Sequence, residues 1–116
     1  MDKTELMIDD IIDYFGSSAV VVSMGAKAVV SLINSPGICV TDFKYIDPIP
    51  ISEGFLKANG FENNGGDDFM LPEADNLMIF RRRDTWLYNS RIKINYIHEL
   101  QHLLRLCKVK KELHYD

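Results

Sequence analysis

The feature that most constrains this chain is the stretch from Lys93 to Cys107, continuing to Leu113, where apolar residues recur with the period of an α-helix. At about 100° per residue, Ile97, Leu100, Leu104 and Cys107 fall in one arc, and Tyr96 and Leu103 extend its edge. Such a stripe has to be buried against another surface. Asn95 is the predicted N-cap, with His98 at the place where a capping box favours Glu or Gln. Lys108, Lys110 and Lys111 fall near the C-terminus, where cations suit the helix dipole.

The same stretch contains His98-Glu99-Leu100-Gln101-His102, which matches the H-E-x-x-H pattern of zinc metallopeptidases. A catalytic zinc needs two histidines one turn apart, a third protein ligand, an open position and a glutamate beside the bound water. The spacing supplies only the first. The extended form of the motif would place a glycine and a histidine where this chain has Arg105 and Lys108, and only Glu112 and His114 remain downstream as ligands. His98 and His102 are therefore expected on a solvated helix face. The alternatives are weak, adventitious metal binding by the i, i+4 pair and a catalytic zinc; Glu99 would be the general base in the last case only. No cofactor is expected.

Ahead of this helix the sequence reads mostly as strands. Residues 8 to 15 fit two patterns: Ile8, Ile11, Ile12 and Phe15 have helical spacing, while a strand from Asp10 to Phe15, turning at Gly16, would begin a meander. Ala19 to Met24 and Ala28 to Ile33 are rich in β-branched residues and read as a hairpin broken at Gly25. Asn34-Ser35-Pro36-Gly37 is a turn, and Ile38 to Val40 and Phe43 to Ile46 give further short strands. Pro48 and Pro50 punctuate the chain. Ser52 is predicted to cap a helix from Glu53 to Asn59, ended by Gly60. After the loop-like stretch from Glu62 to Asp68, strands are predicted at 69–71, 76–81, 85–88 and 91–94, with turns at Pro72 to Asp75, Arg82 to Asp84 and Asn89-Ser90. The terminal helix would cover one face of this second meander.

The fold class is thus α+β: a small barrel or half-barrel, a short helix, a β-meander and a packed C-terminal helix. Residues 1–116 are read as one compact domain, with a barrel-like portion over 1–50 and an α+β portion over 51–116. The 47% hydrophobic and 26% charged residues are those of a globular protein. A formal charge of −4 argues against a general nucleic-acid binder, though a local basic patch survives such an average. Cys39, in a strand, and Cys107, on the helix stripe, are expected as small buried hydrophobes. With no secretory signal and no long apolar run, a cytoplasmic protein without membrane contact is expected.

Ile46-Asp47-Pro48-Ile49-Pro50-Ile51-Ser52, then Phe55-Leu56 with Asn59-Gly60-Phe61, and finally Tyr96-Ile97-His98-Glu99-Leu100-Gln101 occur in an order that resembles small uncharacterised proteins of Bacteroides-type bacteria and their phages and prophages. The resemblance covers most of the chain. It implies an N-terminal barrel similar to KOW or Tudor modules, a proline joint and an α+β C-terminal portion, with no established activity. It also implies that the second histidine of H-E-x-x-H is incidental. Asp9-Asp10 stands where such proteins show a glycine turn.

One polar cluster is distinctive. Arg81-Arg82-Arg83 is followed by Trp86, with Arg91 close behind, and strand alternation would set some arginines beside aromatic rings, the combination that holds phosphates and stacks bases. The alternative is a charged hairpin tip balanced by Asp84, with Trp86 in the core. Asp67, Asp68, Glu73 and Asp75 lack the register of a calcium loop. No phosphate-binding glycine loop or nucleophile elbow is present. The sequence reading is a non-enzymatic accessory protein of phage or mobile-element type that binds a protein partner. A nucleic-acid-binding module using Arg81, Arg82, Arg83, Trp86 and Arg91 is the second reading, and a metallopeptidase using His98, Glu99 and His102 the third.

Overall fold

The computed structural model describes residues 1–89 and 91–115. Among the described residues the chain is α+β and mostly strand, with two five-stranded antiparallel sheets and two α-helices. It divides into two compact units, Met1–Ile49 with Tyr115, and Pro50–His114.

The first unit is a meander of β1 (Ile11–Tyr14), β2 (Ser17–Met24), β3 (Ala28–Leu32), β4 (Ile38–Thr41) and β5 (Ile46–Asp47), in sheet order β4-β3-β2-β1-β5. The ambiguous segment 8 to 15 is strand and turn. Asp9 has φ 75°, which ends any helical path, and the Asp10 carboxylate accepts the Met7 N–H at 2.7 Å. Its would-be helical stripe is split by this geometry, because Ile11 and Ile12 are buried whereas Ile8 and Phe15 are exposed. Phe15 and Gly16 form the hairpin connection, with φ 49° and 83°, the signs of a type I′ turn. A bulge lies between Val21 and Ser23 in the β2–β3 ladder. Phe43 to Ile46 departs from the expected strand: Phe43–Tyr45 is a 3-10 turn, and only Ile46–Asp47 pairs with β1. Leu6, Ile12, Ala19, Val21, Ala28, Val30 and Ile46 form the core. No closed barrel forms among the described residues, since β4 and β5 are each paired on one side only.

In the second unit, α1 (Glu53–Ala58) starts as the sequence indicates, with the Ser52 hydroxyl accepting the Phe55 N–H at 3.2 Å. It ends at Gly60, φ 91°, where the Phe61 N–H reaches back to Leu56 O. Then follow β6 (Glu62–Asn63), β7 (Asp68–Leu71), β8 (Leu77–Arg82), β9 (Thr85–Tyr88) and β10 (Ile92–Lys93), paired in sequence order. The predicted Asn89-Ser90 turn includes Ser90, which lies outside the described residues.

The last helix, α2 (Ile97–Leu106), buries Ile97, Leu100, Leu103 and Leu104, each side chain contributing about 1.5–3 kcal/mol. Two expectations about its ends are corrected. Tyr96, not Asn95, is the N-cap residue, because the Asn95 side chain is taken by the Trp86 N–H at 2.9 Å. Cys107 is exposed rather than buried, because the helix stops before it: Lys108 has φ 57°, and the Val109 N–H closes on Leu104 O at 2.8 Å. Cys39, on β4, is half-buried. No helix among the described residues is long and apolar enough to cross a membrane.

Candidate functional site

The H-E-x-x-H segment occupies the first turns of α2, and its glutamate has a structural task. Glu99 Oε1 accepts the backbone N–H groups of Asn95 at 3.0 Å and Tyr96 at 3.1 Å, the reach-back half of a capping box. A carboxylate held this way is turned to the helix start. His98 is buried, contrary to the expectation of a solvated face. Tyr96 stacks on it at 6.0 Å and His102 meets it edge-on at 5.5 Å. Among the described residues no group of three or more His, Cys, Asp or Glu is placed to hold a metal ion. His114, one downstream candidate, is anchored through its backbone N–H and C=O to Asn59 at the end of α1.

The arginines of the β8–β9 hairpin are dispersed in role. Arg81 pairs in register with Trp86, and its guanidinium lies 5.3 Å from that ring, so the sequence pattern did bring cation and aromatic together. Its Nη2 also donates to Glu53 Oε1 at 2.7 Å and to Asp67 Oδ1 at 3.1 Å. The hydrogen bond that the guanidinium donates to Asp67 is the main cause holding its pKa above the ordinary value; desolvation, next in size, opposes it, and the charges of Glu53 and Asp67 add to the rise. Glu53 and Asp67 are thus the acids that balance Arg81. Trp86 is buried and meets Phe69 edge-on at 5.4 Å, leaving its face unavailable for base stacking. Arg82 lies over Phe80 at 5.5 Å, Arg83 occupies the turn with φ 58°, and Arg91 is exposed beyond β9.

An open cleft of about 750 Å³ runs between the Pro72–Ala74 turn and the segment after α2. Asp75, Asn76, Cys107 and Lys108 line it, and the Lys111–Glu73 ion pair at 3.0 Å stands beside them. Its mixed charges favour no single ligand class.

The surface that sequence reasoning missed is on the first sheet. Alternation puts Ala19, Val21, Ala28 and Val30 in the core and Val20, Val22, Val29, Ile38 and Val40 on the opposite face. Ile38 is 68% exposed and Val40 66%. Both lie on β4, an edge strand. Each other sheet edge is guarded in a different way: β5 has two residues and runs into Pro48, β6 carries Glu62, and β10 carries Lys93 after Arg91. Between Ser35 and Thr41 there is no charge, and within β4 no proline. The signal was present in the sequence. A strand pair that is β-branched on both alternating faces is the pattern of a sheet covered on both sides.

Set against known proteins, no family model matches this sequence, no curated protein matches it, and no solved structure matches the fold.

Proposed function

We propose that this chain is a protein-interaction module, an accessory protein of the kind its resemblance to phage and prophage proteins implies, and that it engages its partner by strand addition at β4. The observation that supports this reading most is the unguarded edge, where Ile38 and Val40 stand exposed at the end of the sheet order. Strand addition draws affinity from main-chain hydrogen bonds and specificity from alternate side chains, and β4 offers both. The KOW- or Tudor-like half-barrel is the finer form of the same reading, supported by β1 pairing with both β2 and β5. The nucleic-acid reading is weakened by the two carboxylates on Arg81 and the burial of Trp86. The metallopeptidase reading is weakened by the capping task of Glu99.

The test is recovery of the tagged chain from its own cells, with and without nuclease, beside an Ile38→Asp/Val40→Lys variant. Protein retained in stoichiometric amount by the wild type, indifferent to nuclease and lost from the variant, is the expected result. Retention that nuclease abolishes, or that the variant keeps, overturns the reading.

A further inference from the structure

Resting on the strand-edge reading, we infer that the occupant of β4 is a second copy of this chain, paired antiparallel with Cys39 on the twofold axis. Hydrogen-bond phase and side-chain parity together restrict the register. The Leu32 N–H donates to Gly37 O at 3.4 Å, which makes Leu32 and Gly37 a hydrogen-bonded pair. Alternation along the β3–β4 ladder then makes Val30–Cys39 and Ala28–Thr41 bonded pairs and turns the N–H and C=O of Ile38 and Val40 toward the open edge. Residues directly opposite one another share a face, so Ile38 and Val40 have to meet outer-face residues of the partner.

Registers centred on Ile38, Cys39 or Val40 satisfy both conditions. Centring on Ile38 sets Val40 against Pro36, which has no N–H to give. Centring on Val40 sets Ile38 against the Asp42 carboxylate. Centring on Cys39 sets Ile38 against Val40 of the second copy on both sides of the axis, and each of those pairs can exchange both hydrogen bonds. The strand is its own complement.

Charge permits the same occupant. A chain of net charge −4 repels itself through most of its surface, but the segment from Ser35 to Thr41 is uncharged, so this pairing brings no like charges face to face. A four-residue ladder is small against the roughly 1,000 Å² of a long-lived interface, so the dimer is a concentration-dependent one. Cys39 meets its copy as a non-hydrogen-bonded pair, with Cα atoms about 4.5 Å apart. That spacing falls within the range of about 4.4–6.8 Å that a disulfide tolerates.

The experiment uses the full chain in a Cys107→Ser background, which leaves Cys39 as the sole thiol. Light-scattering mass is followed under reducing conditions from micromolar to near-millimolar protein, and diamide oxidation is read on a non-reducing gel. The mass is expected to rise from 13.3 kDa toward twice that value, with a disulfide-linked dimer on oxidation. Val40→Lys, at an exposed position, should retain the wild-type circular dichroism, weaken dimerisation at least ~10-fold and abolish the cross-link. A dimer that Val40→Lys keeps, or one that yields no Cys39 cross-link, overturns the proposal. So does a monomer at every concentration. If that monomer still retains a cellular protein that the edge variant loses, the second copy is excluded and strand addition stands; if it retains none, both fall.

Discussion

Replacing Glu99 distinguishes a helix cap from a catalytic base. Glu99 Oε1 is the acceptor for the N–H groups of Asn95 and Tyr96, at 3.0 and 3.1 Å, and the first of these is partly buried. Glu99→Ala removes both bonds. A lost cap costs about 1 kcal/mol, and the partly buried donor left behind together with the lost interaction with the helix dipole adds about as much again, so about 2 kcal/mol is expected. In a unit of about 65 residues, Pro50–His114, that corresponds to a melting temperature lower by about 8–16 °C. Glu99→Gln keeps an acceptor oxygen in place and loses only the charge, a cost of about 0.5–1 kcal/mol. Thermal unfolding by circular dichroism, with amide exchange of residues 95 and 96, should therefore order the proteins wild type, Gln, Ala. A catalytic base predicts a different pattern: Gln and Ala would be equally inactive in zinc-dependent hydrolysis and nearly equal in stability. Stability losses below about 0.5 kcal/mol in Glu99→Ala would refute the capping argument.

Three further outcomes follow from the same geometry. Asn59 is buried, and its amide donates to Phe55 O and His114 O at 2.9 Å and accepts the His114 N–H at 2.7 Å, so Asn59→Ala should cost about 2–3 kcal/mol and speed tryptic cleavage at Lys108 to Lys111; unchanged cleavage would count against this tie. Arg81→Ala should shift the emission of Trp86, the sole tryptophan, to longer wavelength by removing the guanidinium from its ring, and an unmoved spectrum would show that this contact does not shield it. The Thr4 backbone N–H on Asp2, aided by the Thr4 side chain, holds the Asp2 carboxyl below the usual range, so its contribution is present above the ordinary aspartate pKa and is lost as pH falls through the depressed value. An amide titration of Thr4 should show that late transition, and Asp2→Asn should remove it.

What the sequence made legible was the part set by local chemistry. The β2–β3 hairpin, the Ser52 cap, the Gly60 stop and the buried faces of Ile97, Leu100 and Leu104 follow from periodicity and capping, and they appear in the structure. The misread places depend on contacts that periodicity and composition do not register. Asn95 has the chemistry of an N-cap, yet Trp86 N–H takes its side chain, and Glu99 caps the helix instead. His98, placed on a solvated face by the helical wheel, is buried, with the rings of Tyr96 and His102 against it. Phe43 to Tyr45 has strand composition but forms a 3-10 turn before β5. For the sites, the pattern Arg81 to Trp86 did predict a cation beside a ring. It could not show that Glu53, 28 residues earlier, already occupies that cation.

The open edge and the proline joint are one problem seen from two ends of a sheet. Closing the first meander into a barrel would require β4 to pair with β5, the strands that end the order β4-β3-β2-β1-β5. β5 has only Ile46 and Asp47 to offer, and the next positions include Pro48 and Pro50, which have no N–H to donate. Such a short strand cannot satisfy the donors and acceptors that β4 turns outward at Ile38 and Val40. The same residues that give the chain an extended exit from its first sheet thus withhold the partner that would seal it. Exposed apolar side chains and backbone groups on one uncharged edge carry a standing risk of misassociation, which proteins ordinarily suppress with a charged side chain, a proline or a bulge. Here those devices guard β5, β6 and β10 and are absent from β4, which is the distribution that the proposed association at that edge requires.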